Sequence, residues 1–183
     1  GSGQAERRRR LLMAGPTPDR ILVIKLRYVG DVLLATPVLS RLREGFPQAH
    51  LAMMVNPGTD GVVRGHPALD DVLVVERGNP ARQWRFAREL RARRYDLVID
   101  LTDSDRSAVL SRLSGAPVRL GYNSEGRWRG CFYTRIVDAD RFGMHQVRYH
   151  LKATEALGLE GPPPEPALVV SQEARSSADR LLM

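Results

Sequence analysis

The stretch that decides the fold lies near the start of the chain and reads Arg20-Ile21-Leu22-Val23-Ile24-Lys25-Leu26-Arg27-Tyr28-Val29-Gly30-Asp31-Val32-Leu33. Its uninterrupted apolar run, Ile21 to Ile24, is typical of a β-strand that is covered on both faces. A turn at Tyr28 to Gly30 follows, and from Asp31 onward the apolar residues recur at helical spacing. Pro37 lies inside this helical stretch, where it either interrupts the helix or starts a second segment.

The same alternation of strand and helix patterns continues along the chain. Further strands are predicted at 51–55, 72–75, 96–100, 118–122, 134–137 and 167–170, and further helices at 80–94, 105–113 and 145–157. Strands that alternate with helices at this spacing favour a mostly parallel, doubly wound sheet. The sequence therefore predicts a Rossmann-like α/β fold.

The length of 183 residues suggests one domain or slightly more. We interpret residues 1–19 as a flexible leader, partly an expression remnant, and residues 20–170 as the domain. Ser171 can cap a last helix, which stops in mid-turn at Met183. We therefore expect 171–183 to be the start of a truncated linker helix that leads to a further domain.

The charge of the chain is carried almost entirely by arginine. The formal net charge is +7, and only two of the 28 basic residues, Lys25 and Lys152, are lysine. Two interpretations stay open: a codon bias of the source, or a surface that binds phosphates and carboxylates by bidentate pairing. The single cysteine, Cys131, excludes an internal disulfide, and the apolar runs are far shorter than the ~20 residues of a membrane span.

Asp31 stands where the first predicted strand passes into the first helix. Ligands of open parallel sheets bind at the carboxyl ends of the strands, but the segment has neither a dinucleotide fingerprint nor a P-loop. Asp31 is either a helix-start residue that balances the helix dipole or a general base beside Lys25 and Arg27.

Residues 21–39 resemble the opening of glycosyltransferase family 9, the ADP-heptose:lipopolysaccharide heptosyltransferases, and most of all the heptosyltransferase III type. Three further stretches resemble the same family in the right order, at 67–72, 95–101 and 145–149. The resemblance runs from about Arg20 to the end of the chain.

The resemblance implies an inverting glycosyltransferase of the two-domain GT-B architecture, in which this chain is the acceptor-binding half. A C-terminal domain outside this sequence would bind ADP-heptose, so this chain alone is expected to be inactive. The heptose would pass to the lipopolysaccharide inner core, a lipid-linked acidic sugar acceptor, with no metal and no other cofactor. We also expect a cytoplasmic protein, whose basic face would suit peripheral contact with the anionic inner leaflet of the inner membrane. Because the arginines are dispersed, we expect no nucleic-acid partner.

The resemblance also assigns site residues. Asp31 matches the family's catalytic aspartate, which would deprotonate the acceptor hydroxyl. Residues predicted to bind the acceptor are Lys25, Arg27, Gly30, Thr36, Arg82, Arg85, Arg127, Arg135 and His145. The alternatives are a surface lysine at Lys25, a helix hydroxyl at Thr36, a capping or packing histidine at His145, and solvated arginines elsewhere.

The remaining acidic and imidazole groups predict no metal site. The acid-rich segment 100–105 is interpreted as a loop in which Ser104 or Asp105 caps the next helix. His66 is interpreted as a loop residue, and His50 and His150 as structural. The alternative function is a non-catalytic binding module for an anionic ligand such as nucleic acid or a phosphosugar, although no known nucleic-acid motif is present.

Overall fold

The computed structural model describes residues 17–169 and Arg180. Its six strands are β1 (Arg20–Ile24), β2 (His50–Val55), β3 (Asp71–Val74), β4 (Leu97–Asp100), β5 (Val118–Gly121) and β6 (Arg135–Ile136). They form one sheet in the order β3-β2-β1-β4-β5-β6, and each neighbouring pair is parallel. The predicted Rossmann-like α/β fold is confirmed.

Five α-helices connect or flank the strands: α1 (Val29–Leu33), α2 (Thr36–Gly45), α3 (Pro80–Ala92), α4 (Asp105–Leu113) and α5 (Gln146–Glu155). Two short 3₁₀ helices lie at Asp60–Val62 and Trp128–Phe132. Pro37 is the second residue of α2, within the first turn, where a missing N–H breaks no helical hydrogen bond. Pro37 therefore starts a second segment.

The core consists of two apolar clusters, one on each face of the sheet. Ile21 and Val23 of β1 pack in the cluster that includes α2 and α5, whereas Leu22 and Ile24 pack in the cluster that includes α3 and α4. Since successive side chains of a strand point to opposite faces, a strand covered on both faces must be apolar throughout. This explains the uninterrupted apolar run that decides the fold.

The strand predicted at 167–170 is wrong for residues 167–169, which have no regular secondary structure. The backbone N–H of Ala167 donates to Thr36 Oγ1 at 3.0 Å, so this segment is attached to α2 through a side chain and adds no strand to the sheet. The predictions for 1–16, for Val170 and for 171–183 lie outside the described residues, apart from Arg180. Among the described residues, no helix has the length and apolar character needed to cross a membrane.

Candidate active site

The candidate site lies where the strand order reverses, between β1 and β4. The connections that leave the two halves of such a sheet run in opposite directions, which opens a crevice at the carboxyl ends of the strands. A cleft of about 380 Å³ lies at these ends, and residues that follow β1, β2, β3, β4 and β5 line it. Arg27 lines this cleft, whereas Lys25 and Asp31 follow β1 at the same edge of the sheet without lining it.

Several arginines that line the cleft have no carboxylate partner among the described residues. Arg106, in the first turn of α4, donates to Asn56 Oδ1 at 3.1 Å and to the carbonyls of Val75 at 3.2 Å and Glu76 at 3.1 Å, all neutral acceptors. Burial lowers the pKa of the Arg106 guanidinium, and the nearby charges of Arg77 and Arg27 lower it further.

No carboxylate of residues 17–169 lies within 4.0 Å of a nitrogen of any of these three arginines. We call Arg27, Arg77 and Arg106 the open arginines. Three like charges that converge without a counter-ion favour the binding of an anion.

Two other arginines that line the cleft are saturated by carboxylates. Arg129 is buried, and its Nη2 lies 2.8 Å from Asp103 Oδ1, while its Nη1 lies 3.2 Å from both Asp105 Oδ1 and Glu125 Oε2. Arg127 is half exposed and lies 3.2 Å from Asp105 and 3.4 Å from Glu125. Burial opposes the charge of Arg129, but its hydrogen bonds with the three carboxylates raise its pKa overall. We call Arg127 and Arg129 the paired arginines.

Asp31 lies in the first turn of α1, where it makes the contact of a helix-start residue and also lies near Lys25. Its Oδ2 accepts the backbone N–H of Tyr28 at 3.3 Å, which is a helix-start interaction, and lies 3.8 Å from Lys25 Nζ. The side chain is nevertheless 40% exposed, and no hydrogen bond from the described residues reaches Oδ1. A structural role for one oxygen therefore leaves the other available to a ligand.

Lys25 is buried, so the surface-lysine alternative is wrong. Its side chain is 5% exposed, and Nζ donates to the carbonyl oxygen of Leu101 at 3.2 Å. Burial lowers the pKa of Lys25, while the carboxylates of Asp31 and Asp100 oppose that change. The position directly after β1 leaves this buried ammonium 3.8 Å from Asp31 Oδ2.

Arg27 and Gly30 are exposed at the same edge of the sheet. A Cβ atom added at Gly30 would meet no atom of the described chain within 4 Å. Packing within this part of the chain therefore does not require glycine at position 30, and the space beside its Cα is open to a ligand.

For Thr36 and His145 the structure favours the structural alternatives. Thr36 is fully buried; its hydroxyl donates to the carbonyl of Leu33 at 2.7 Å and accepts from Ala167. His145 is the N-cap residue of α5, where its Nδ1 accepts the N–H of Val147 at 3.3 Å. Both polar side chains are thus used within the chain.

Three predicted arginines lie away from the cleft. Arg82 and Arg85 are exposed on α3, where they pair with Glu76 at 3.7 Å and Glu89 at 3.5 Å and line a separate, smaller cavity. Arg135 lies on the edge strand β6 and does not line the cleft. The structure therefore brings together Arg27 and Arg127 from the predicted set.

Sequence reasoning missed two members of the site, Arg77 and Arg106. Arg77 comes soon after β3, and Arg106 is the second residue of α4, so both stand near carboxyl ends of strands. That position in a parallel sheet is the signal that could have found them.

The remaining predictions concern histidines and acidic residues. Ser104 caps α4, since its Oγ accepts the N–H of Ser107 at 3.2 Å, which confirms one of the two predicted caps. His150 is fully buried, as a structural residue should be, and His66 lies in a loop as predicted but is also buried. No group of three His, Cys, Asp or Glu side chains among the described residues could hold a metal ion.

Residues 83–182 match the sequence profile of glycosyltransferase family 9 (heptosyltransferase). The chain belongs to this family. The membership confirms the resemblance that the four sequence stretches suggested, and it extends through the half of the chain that contains α4, β5, β6 and α5.

Individual relatives agree with the family. Lipopolysaccharide heptosyltransferase 3 of Escherichia coli is 31% identical over 144 residues, which are 73% of this chain and 41% of that protein. The crystal structure of a family 9 glycosyltransferase from Veillonella parvula superposes with a TM-score of 0.78 at 26% identity, over 88% of this chain and 48% of the other. The E. coli heptosyltransferase WaaC with ADP gives a TM-score of 0.68 at 26% identity, over 86% and 53%. The chain thus spans about half or less of these family members.

Proposed function

We propose that the chain is the acceptor-binding part of an inverting heptosyltransferase, which transfers heptose from ADP-heptose to the lipopolysaccharide inner core. Residues 20–170 form the acceptor-binding domain in this proposal, and a further domain binds the donor. Membership of family 9 supports the reaction class. The observation that carries the acceptor role is the group of open arginines at the switch point of the sheet.

The open arginines suit an acceptor that carries carboxylates or phosphates. A planar guanidinium can donate two parallel hydrogen bonds to such a group, and charge-assisted bonds of this kind are about twice as strong as neutral ones. Because Arg106 donates only to neutral oxygens of the protein, an anion that enters the cleft displaces no carboxylate from it. Binding of the anion to Arg106 therefore breaks no ion pair among the described residues.

Asp31 serves as the general base of the proposed reaction. Its Oδ1 takes the proton of the acceptor hydroxyl while the hydroxyl oxygen attacks the anomeric carbon of the heptose. The new carbon–oxygen bond forms on the face opposite the bond to the phosphate oxygen, which breaks as ADP leaves with the electron pair. The configuration at the anomeric carbon is thereby inverted.

The proposal places this protein at the cytoplasmic face of the inner membrane, where a lipid-linked acceptor would be found. Its net charge of +7 supports a peripheral contact with anionic lipids, at about 1 kcal/mol for each basic residue near the surface.

The test of the base is Asp31→Asn in the full-length enzyme. Proton transfer by a positioned side chain contributes about 10²–10⁴-fold, so kcat should fall by that factor while acceptor affinity stays the same. Glu44→Gln, which changes an exposed carboxylate on α2, should transfer heptose normally. Normal turnover of Asp31→Asn would overturn the assignment, and acceptor binding without any transfer by the full-length protein would favour the binding-module alternative.

The 183-residue chain alone provides a second test. It should bind acceptor sugars in a salt-dependent manner but transfer no heptose, because the donor site lies in the further domain of this proposal. Transfer of heptose by the purified chain would contradict the proposal that a further domain binds the donor.

A further inference from the structure

The burial of the Lys25 ammonium requires an explanation. An ammonium removed from water is costly unless hydrogen bonds and opposite charges compensate it. Lys25 Nζ has three protons, and among the described residues it makes one hydrogen bond, to the carbonyl oxygen of Leu101. Lys25 directly follows the buried residues Ile21 to Ile24 of β1 and precedes buried Leu26, so it is a charged residue in a buried, otherwise apolar stretch.

The charges around Lys25 come from four other parts of the fold. Asp31 faces it from α1 and Asp100 from the end of β4, while Arg141 and Arg27 are the nearby cations. His150 of α5 is also close, and burial together with Lys25 and Arg141 lowers its pKa to about 3, so the imidazole is neutral. Asp100 is fully buried and accepts from Tyr133 and Thr102. Asp31 is therefore the carboxylate near Lys25 that a substrate can reach.

The contacts on Asp31 are asymmetric. The Tyr28 N–H and the Lys25 ammonium both lie on the side of Oδ2, at 3.3 Å and 3.8 Å. Both contacts favour the same orientation of the carboxylate. Its other oxygen accepts no hydrogen bond from the described residues and stays available to a ligand.

We propose that Lys25 is a positioning residue for Asp31: its ammonium attracts Oδ2 and thereby leaves Oδ1 to face the acceptor hydroxyl. The inference rests on the proposed function, in which Asp31 is the general base. It differs from the acceptor contact that the family resemblance implies for Lys25, because a side chain that is 5% exposed offers little surface to a sugar.

The decisive experiment is a double-mutant cycle in the full-length enzyme with Lys25→Met, Asp31→Asn and the combination of both. Methionine is unbranched and fills the space of the lysine stem without its charge. Because misplacing a reacting group by about 1 Å can cost 10²-fold, kcat of Lys25→Met should fall about 10–100-fold with the acceptor KM unchanged. In the Asp31→Asn background the same substitution should have no further effect, since the group that Lys25 positions is gone.

Lys152→Met is the matched control, because Lys152 is the other lysine of the chain and lies exposed on α5. It should leave kcat and KM unchanged. Thermal unfolding of each variant separates a loss of folded enzyme from a loss of rate. If Lys25→Met does not fold, Lys25→Gln, which keeps a donor for Leu101, takes its place in the cycle.

A raised acceptor KM with unchanged kcat would show that Lys25 contacts the acceptor and would overturn the positioning role. Equal losses in both backgrounds would also overturn it, while leaving Asp31 as the base. Normal turnover of Asp31→Asn would instead contradict the proposed function itself.

Discussion

Two groups of arginines line the cleft in opposite electrostatic surroundings. Three carboxylates surround Arg129, which is buried, and two of them also reach Arg127. Arg106 instead donates to neutral oxygens, and the charges of Arg77 and Arg27 contribute to lowering its pKa. The total charge of a segment therefore does not locate a binding site. A candidate anion site is located by the arginines that lack a carboxylate partner among the described residues.

The largest loss of stability should follow from replacing the buried member of the paired arginines. Arg129→Met leaves Asp103, whose side chain is 2% exposed, without its main counter-ion. Removing one partner of a buried ion pair costs about 3–5 kcal/mol, so the free energy of unfolding should fall by that amount in urea titrations.

Arg127→Met is the matched control for this prediction, since Arg127 shares Asp105 and Glu125 with Arg129 but is half exposed. Exposed ion pairs contribute about 0–1 kcal/mol, so the loss should be small. Equal losses for the two variants would mean that burial does not distinguish these arginines.

A second effect concerns α5, where burial keeps His150 neutral near Lys25 and Arg141. Its pKa of about 3 in the folded protein lies below the usual 6.5, so its contribution to stability is present above pH 6.5 and is lost as the pH falls towards 3. At pH 5 the loss relative to pH 7.5 should be about 2 kcal/mol.

The measurement is urea unfolding at pH 7.5 and pH 5 for the wild type and His150→Gln. The variant should lose less stability between the two pH values. His66, whose pKa burial also lowers, contributes in the same direction in both proteins and cancels in the comparison. The same pH dependence in His150→Gln and the wild type would show that the imidazole is not the group responsible.

Changing the open arginines should have a smaller effect on the free energy of unfolding but a larger effect on acceptor binding. Arg77→Gln and Arg106→Gln each remove one charge-assisted hydrogen bond to an anion, about 1.5–3 kcal/mol, so the acceptor KM of the full-length enzyme should rise at least tenfold. The free energy of unfolding should change far less than in Arg129→Met. An unchanged KM would remove these arginines from the acceptor site.

The smallest effect should follow from Arg82→Ala and Arg85→Ala. Both arginines are exposed and pair with glutamates close to them in sequence. Exposed pairs of this kind are worth about 0.3–0.5 kcal/mol, so stability should barely change. A tenfold rise in acceptor KM for either variant would show that the acceptor extends along α3 and would restore the role predicted from the sequence.

Local patterns predicted most of the secondary structure. The helix at 105–113 agrees with α4 at both ends, and the run Ile21 to Ile24 lies within β1. The strand predicted at 167–170 failed for residues 167–169 because a short apolar run does not show whether a neighbouring strand is available to pair with it. Thr36, 131 residues away, accepts the hydrogen bond of Ala167 instead.

The candidate site was predictable only in part. Asp31, Arg27 and Gly30 stand in one continuous segment, so the end of a single strand identifies them. Arg77 and Arg106 reach the cleft from two other segments, and Arg106 meets Asn56, which lies 50 residues earlier. No pattern in one segment could show that these charges converge.

The sequence by itself determined the class of fold and the excess of arginine. Strand and helix periodicities are local, and a parallel sheet with helices on both faces is the arrangement that buries them all. Only the tertiary structure decided which arginines lack a carboxylate partner among the described residues and which form ion pairs. Arg129 and Asp103 are 26 residues apart, and their pairing depends on the order in which β4 and β5 lie in the sheet. Charge compensation acts over a few ångströms in space, whatever the distance along the chain.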